Sequence, residues 1–282
     1  MRIPPRAVHV GMLGILWSVT LAAIGTLIWI IGWVLWHGLP SATPHFLTSM
    51  PQDSGAEGGI LSVIAGTLFI ILGAVALATP LGVGTAIYLV EYTRENWVTR
   101  VIRYGADCLA GIPSIIFGLF GYVFFVITLG LRWSILSGSL TLALMSLPTI
   151  IRTAEVALRS VPQGYREVSY ALGATRWQMV LRVVLPGALP GIVTGIVLAL
   201  GRCMSETAAV IFTAGTVLPD RIPTSPGDSV RTLAVHFYLL ATEGTSESQP
   251  KAFATAAILV LAILVINVSA YTLMHRFLAR YR

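Results

Sequence analysis

Six apolar runs, at about 10–36, 60–90, 105–130, 135–158, 187–214 and 252–275, divide this chain of 282 residues. Each is long enough to cross a hydrocarbon core, which takes about 20 apolar residues in a helix. Lipid offers no hydrogen bonds to the backbone, so the runs read as helices rather than strands. Only 11% of residues are charged, against about a quarter in a soluble domain, and the mean hydropathy is +0.83. The expectation is an all-α, polytopic membrane protein with six transmembrane helices, forming a single membrane domain over 1–282. The first run carries Trp17, Trp29, Trp33 and Trp36 and lacks a small-residue cleavage site. It reads as a retained helix, not a signal peptide.

Basic residues set the expected orientation. With the N-terminus inside, Arg2, Arg6, Arg94, Arg100, Arg103, Arg159, Arg166, Arg176, Arg182, Arg276, Arg280 and Arg282 all fall on the inner side. The outer segments hold Arg132, Arg221, Arg231 and Lys251. The positive-inside rule then places both termini in the cytoplasm. This bias accounts for the net charge of +6, so membrane lipid is the expected surrounding and no nucleic acid is expected as a partner.

Residues 215–251, with Pro219, Pro223 and Pro226, read as an outer loop with a short re-entrant or interfacial segment around Val230–Leu240, a surface on which a soluble donor protein could dock. Cys108 and Cys203 both lie in apolar runs without a partner at metal-site spacing. They read as small packing residues, and neither a disulfide nor a metal is expected.

Two charged constellations stand out. SLPTIIRTAEVALRS places Arg152, Glu155 and Arg159 on one helix face at i, i+3 and i+7, with Glu155 four residues before Arg159, the favoured order for a helix-surface ion pair. The bland alternative is a stripe of long side chains snorkelling to the headgroups. GRCMSETAAVIFTAG sets Arg202 and Glu206 one helical turn apart. Counted from the Pro190-Gly191 break at about 1.5 Å per residue, Arg202 lies about 18 Å along the helix, near the middle of the bilayer. Charges there cost about 2.5–3.5 kcal/mol each even on the lenient insertion scale, and such residues commonly line a substrate path. The alternative is a self-neutralising pair that fixes helix packing. A guanidinium fork fits a tetrahedral oxyanion. A neighbouring carboxylate could accept a hydrogen bond from a protonated phosphate oxygen, which sulfate lacks at neutral pH.

Glycine and proline punctuate the runs. Pro80, Gly82 and Gly84 are expected to interrupt the second helix, Pro113 after Gly111 the third, Pro148 the fourth, and Pro186 and Pro190 to bracket entry to the fifth. The remaining glycine pairs read as close-packing sites. Between the fourth and fifth runs, 160–186 forms a polar loop in which Tyr165 to Leu172 can make two helical turns, Gly173 a sharp turn, and Ala174 to Val184 a return towards the membrane.

Within that loop, EVSYALGATRWQMVLRVVLP at 167–186 reads Glu167, five residues, Gly173, nine residues, Val-x-Leu-Pro. The spacing resembles the EAA loop of ABC importer permeases. PLGVGTAIYLVEY at 80–92, GIPSIIFGLFGY at 111–122, SLPTIIRTAE at 146–155 and GRCMSETAAVIFTAG at 201–215 resemble the PstA-type permeases of bacterial phosphate ABC importers. The chain departs from the EAA pattern at Val168 and Ser169, where alanines are commoner. The resemblance implies a type I importer permease fold (MetI-like), with a core of five transmembrane helices over 60–276, in a bacterial inner membrane. It also implies a PstC-type permease partner, a PstB-type ATPase dimer and an external phosphate-binding protein. Glu167, Ala171, Leu172 and Gly173 would then couple to the ATPase, and Arg152, Arg202 and Glu206 would line the phosphate route.

The sequence has no G-x-x-x-x-G-K-[ST], and its single lysine is Lys251. No cofactor is expected in this chain, and ATP and Mg²⁺ are expected on the partner ATPase. Alternatives are a PstC-type subunit, a permease for sulfate, molybdate or another oxyanion, a self-powered secondary transporter, and a membrane-embedded redox or enzyme subunit. The last wants facing His or Cys ligands, whereas all five His lie at span ends or in outer segments.

Overall fold

The computed structural model describes residues 5–52, 55, 57–218, 221–244 and 248–279. Of the residues named above, Arg2, Pro219, Arg280 and Arg282 lie outside the described residues. The chain runs through α1 (Pro5–Gly38), α2 (Pro44–Thr48), a two-stranded antiparallel hairpin of β1 (Pro51–Gln52) and β2 (Glu57–Gly58), and α3 (Leu61–Ile87). It continues with α4 (Trp97–Ala110), α5 (Ser114–Gly121), α6 (Ile135–Ser160), α7 (Gln163–Ala171) and α8 (Arg176–Met179). Then come α9 (Leu185–Ser205), α10 (Ala208–Thr213), α11 (Leu233–Thr242) and α12 (Gln249–Ala279). Wider π turns extend α3 over Tyr88–Tyr92 and α5 over Tyr122–Thr128, and join α8 to α9 over Val180–Val184.

Five segments are long and apolar enough to cross a membrane: Met12–Ser41, Leu61–Tyr92, Ile135–Ser160, Arg176–Ser205 and Gln249–Thr272. A sixth crossing exists only as the pair α4 and α5, bent by 103°. The interruption expected at Gly111 and Pro113 is present as this sharp bend, while the run expected at 105–130 is corrected at its start, which lies at Trp97. Gly111 ends α4, and Pro113 has extended backbone (ψ 140°) and no N–H to continue the ladder. The fifth run is corrected at both ends. Its helix begins at Arg176, because the π turn lets Leu185 N–H reach Val180 O just before Pro186. It stops at Ser205, because Glu206 is extended (ψ 123°). Pro80, Pro148 and Pro190 sit inside unbroken helices, so the expected interruptions there do not occur.

The core is built on α6. It lies parallel to α3, with Gly73 beside Ser139 and Gly82 against Ile150, and Ser139 Oγ donates to Ile70 O at 3.1 Å. It runs antiparallel to α9, where Gly187, Gly191 and Gly195 face Val161, Ala157 and Thr153. Residues four apart lie on one helix face, so this glycine stripe brings the two backbones close, as small residues do in membrane helices. The expectation that scattered glycines serve close packing holds on this face. One apolar cluster, with Leu142, Met145, Met204 and Val210, fills the half nearer α11, and another, with Ala154, Leu158, Met179 and Val184, fills the half nearer α7. By contrast α1 leaves apolar side chains such as Ile15, Ile28 and Trp29 exposed, a surface suited to lipid. It meets α12 where Gly38 abuts Phe253 and Ala257.

The 215–251 segment closes the α11 end. Pro226 O and Asp228 O accept from Leu136 N and Ile135 N at 2.9 Å, and Thr213 O accepts from Ser134 N. They take up donors that the first turn of α6 leaves open. The short segment expected around Val230–Leu240 holds the helix α11, whose Leu233, Val235 and His236 are buried and whose Leu233 N donates to Thr67 Oγ1 on α3 at 2.9 Å.

Candidate functional site

Three groups of residues carry the charges of the bundle. The deepest is at the end of α9. Ser146 Oγ and Cys203 Sγ lie 3.1 Å apart, so the neighbouring Arg202 sits at the level of Ser146 in the apolar bundle. Arg202 is half-buried, and among the described residues no hydrogen bond or ion pair engages its guanidinium. Glu206 is not on the same helix turn as expected. It follows the break at Ser205, and its Oε1 accepts from Ala209 N at 3.4 Å. The self-neutralising pair therefore does not form among the described residues.

Arg152 belongs to a second group, nearer the α7 end. Six residues separate it from Ser146, about 9 Å along α6. Its Nε donates to Asp107 Oδ1 at 2.9 Å, its NH2 pairs with Asp107 Oδ2, and its NH1 reaches Glu155 Oε2 at 3.3 Å. Glu155, with a side chain 6% exposed, also holds Arg159 NH2 at 3.0 Å, so the ion pair read from the i, i+4 spacing is present. Arg103 Nε lies 2.9 Å from Glu155 Oε1, although its N–H is not aimed at the oxygen, and Arg103 NH1 pairs with Glu95. Three arginines thus face three carboxylates, and the cluster is close to neutral. Sequence reading missed Arg103 and Asp107. Their i, i+4 spacing in the polar stretch Trp97–Ala110 was the available signal, hidden because the run drawn at 105–130 divided that stretch and left Arg103 outside it. Cys108 follows Asp107 and is exposed, not packed as expected, while Cys203 is buried.

The third group is the loop of α7 and α8. Pro162 starts α7, and Gly173 ends it with φ +78°, a left-handed backbone that favours glycine. Ala174 N closes the turn on Ser169 O at 3.0 Å. Glu167, Ala171 and Leu172 are all exposed, and so are Tyr165 and Val168. Tyr165, Val168 and Leu172 fall at i, i+3 and i+7, one apolar face with nothing covering it, and Leu172 is 83% exposed. Thr175 and Gln178 form a reciprocal cap that starts α8. Arrangements of this kind suit docking, not bond chemistry. Among the described residues no group of three or more His, Cys, Asp or Glu could hold a metal ion.

Comparison with known proteins agrees with this geometry. Residues 78–282 match the family described as binding-protein-dependent transport system inner membrane component. Probable ABC transporter permease protein YqgI of Bacillus subtilis (strain 168) is 36% identical over 273 residues, covering 92% of each chain. Phosphate transport system permease protein PstA of Yersinia pestis is 34% identical over 246 residues, 86% of this chain and 82% of that one. PstA 1 of Mycobacterium tuberculosis (strain CDC 1551 / Oshkosh) is 34% identical over 265 residues, 92% and 86% respectively. Among solved structures, a chain of a bacterial ABC transporter involved in import of the acidic polysaccharide alginate superposes with TM-score 0.63 at 18% identity, covering 92% of this chain and 96% of that one. A chain of the inward-facing MetNI methionine ABC transporter gives TM-score 0.60 at 21% identity, covering 75% and 93%. At such identities these two speak for the fold alone, a type I ABC importer permease fold.

Proposed function

The chain belongs to the binding-protein-dependent transport system inner membrane component family, and from that premise we propose that it is the PstA-type permease subunit of an ATP-driven importer of inorganic phosphate. It is a multi-pass membrane subunit of an ABC importer, which works with an ATPase and a substrate-binding protein. The named partners are part of the proposal: a PstC-type permease completing the path, a PstB-type ATPase dimer carrying ATP and Mg²⁺, and an external phosphate-binding protein. So is the orientation, with both termini and α7 in the cytoplasm of a bacterial inner membrane. The basic residues Arg94, Arg100, Arg103, Arg159, Arg166, Arg176 and Arg182 crowd that end.

The observation that carries the reading is Arg202, a charge deep in an apolar bundle with no acceptor of its own among the described residues. An unpaired guanidinium in hydrocarbon is expensive, and an anion arriving beside it supplies the missing acceptors. Phosphate presents several oxygens to the guanidinium fork. Glu206, on the break that follows, would accept from the proton-bearing oxygen. Arg152, about 9 Å further along α6, would take the anion next, which requires it to leave Asp107. On the other side of the coupling, Glu167, Ala171, Leu172 and Gly173 present α7 to the ATPase.

Phosphate uptake into vesicles containing the full complex tests the reading, with complex assembly and ATP hydrolysis followed in parallel. Arg202→Gln should assemble and hydrolyse ATP but take up little phosphate. Excess sulfate or molybdate should leave wild-type uptake unchanged. Normal uptake by Arg202→Gln would remove Arg202 from the route, and competition by sulfate or molybdate would reassign the cargo.

A further inference from the structure

Two side chains of α7 are buried, Arg166 and Ser169. Ser169 spends its hydroxyl on Tyr165 O within the same helix. Among the described residues, the side-chain hydrogen bonds from α7 to other elements come from Arg166. Its guanidinium donates from NH2 at 2.7 Å and Nε at 3.1 Å to Glu91 Oε1, from NH1 to Val161 O at 2.7 Å, and from NH2 to Leu158 O at 2.9 Å. Both side chains are nearly sealed, 10% and 5% exposed. Arg166 thus uses its fork on two elements at once. It caps the open carbonyls at the end of α6, where a cation is also favoured by the helix dipole, and it pairs with the π turn that ends α3.

The same turn holds the other half of the loop. Tyr92, next to Glu91, lies under the Arg176 guanidinium of α8, 5.5 Å from its ring centroid. An open polar cavity of about 450 Å³ lies beside these two contacts, lined by Glu91 and Arg159 at the helix ends and by Arg166, Tyr170 and Arg176 of the loop, among others. The apolar side chains of α7 itself, Tyr165, Val168, Tyr170 and Ala171, are exposed. A buried ion pair is weak evidence for stability, since apolar residues of the same volume would do as well or better. What this pair supplies is direction: it ties one point of α7 to the end of α3 and to the end of α6.

We propose that the Glu91–Arg166 pair is the joint that carries movement of α7 into α3 and α6, making Glu91 a positioning residue for ATP-coupled transport. The inference rests on the reading of α7 as the ATPase-docking element. A push on the exposed Tyr165–Val168–Leu172 face is delivered through Arg166 to the end of α3 and to the last turn of α6. Those two helices share the core, so both move together. Without the joint, α7 can still bind its partner, but its displacement is taken up by the cavity.

The test compares wild-type, Glu91→Gln and Glu91→Asp complexes reconstituted with the partner permease, the ATPase and the phosphate-binding protein. Phosphate moved per ATP hydrolysed is the readout, together with stimulation of hydrolysis by the binding protein. Glu91→Gln keeps size and one acceptor but drops the charge, and the ratio should fall about fivefold or more, the scale of a typical coupling between sites. Glu91→Asp, which keeps the charge but shortens its reach, should fall between Gln and wild type, and it serves in place of Glu91→Gln if that variant does not assemble. A wild-type ratio in either assembled variant overturns the joint. Failure of the functional reading looks different: a Leu172→Asp complex that still binds the ATPase removes α7 from docking, and transport of another cargo by wild type changes the substrate but not the ratio test.

Discussion

Gly191 on α9 and Ala157 on α6 meet so closely that a Cβ added at Gly191 would lie 2.5 Å from the Ala157 Cβ. That contact is the middle of three, with Gly187 on Val161 and Gly195 on Thr153, and it sets the separation of the two helices that bear Arg152 and Arg202. Gly191→Ala should lower stability by about 1–3 kcal/mol, the usual cost of overpacking, seen as a drop in the melting temperature of the detergent-solubilised chain. Ala157→Gly in the same chain removes the opposing methyl and should restore most of the loss. Gly84→Ala, where an added Cβ meets nothing within 4 Å, is the matched control. An unchanged melting temperature for Gly191→Ala would mean that α6 and α9 are not packed on this stripe.

The two cysteines should differ in reactivity. Cys108 is exposed on α4, and Cys203 is buried beside Ser146. On the folded chain in detergent, a maleimide should label one thiol per molecule quickly and the second only on denaturation. Mass spectrometry of the labelled peptides checks the assignment. Fast labelling of Cys203 would mean that the Arg202 level is open to solvent along a path the packing does not show.

What the sequence made legible was local. Gly173 and Pro162 mark α7 because a left-handed backbone and a helix start each have a chemistry of their own, and the i, i+4 pair Glu155–Arg159 needs only the helix it sits on. Gly111 and Pro113 marked the break between α4 and α5, but an apolar run averaged across them hides how sharp the bend is, 103°, and hides the polar face of α4. Pro148 and Pro190 looked like breaks, yet a single lost hydrogen bond is tolerated where neighbouring helices hold the rest of the ladder. Arg202 was read as a deep charge, but its one-turn spacing to Glu206 assumed a helix running on to 214, whereas α9 ends at Ser205 and Glu206 is extended. The Glu91–Arg166 contact spans 75 positions and leaves no periodic trace at either end. Only the fold brings it together.

The uncovered face of α7 predicts a separation between stability and assembly. Leu172 is 83% exposed, so Leu172→Ala should move the stability of the isolated chain by no more than about 0.5 kcal/mol, as surface changes commonly do. If Leu172 anchors the ATPase, the same change should cost about 2 kcal/mol of binding, the scale of an interface hot spot, which is about thirtyfold in affinity. Titrating purified ATPase onto the permease pair, with melting temperatures recorded alongside, separates the two effects. Equal affinity for wild type and Leu172→Ala would move the contact to another part of the loop.

Acid should act on the α11 end through His236. This side chain is buried on α11, with Gly55 against its ring and Arg231 NH1 3.4 Å from Nδ1. Burial first, and the Arg231 charge second, push its pKa down to about 3. The ordinary value in an unfolded chain is about 6.5. Between those values the unfolded state binds the proton and the folded state does not, so stability rises with pH across that window. The contribution is complete above about pH 6.5 and is lost as pH falls towards 3, reaching on the order of a few kcal/mol at its lower end, since each unit is about 1.36 kcal/mol. His236→Phe keeps an aromatic ring in the site and cannot take a proton. Melting curves of the solubilised chain from pH 4 to 7 should slope less steeply for His236→Phe than for wild type, with the two converging in slope above pH 6.5. Parallel curves across the whole range would show that His236 is not held neutral by the fold.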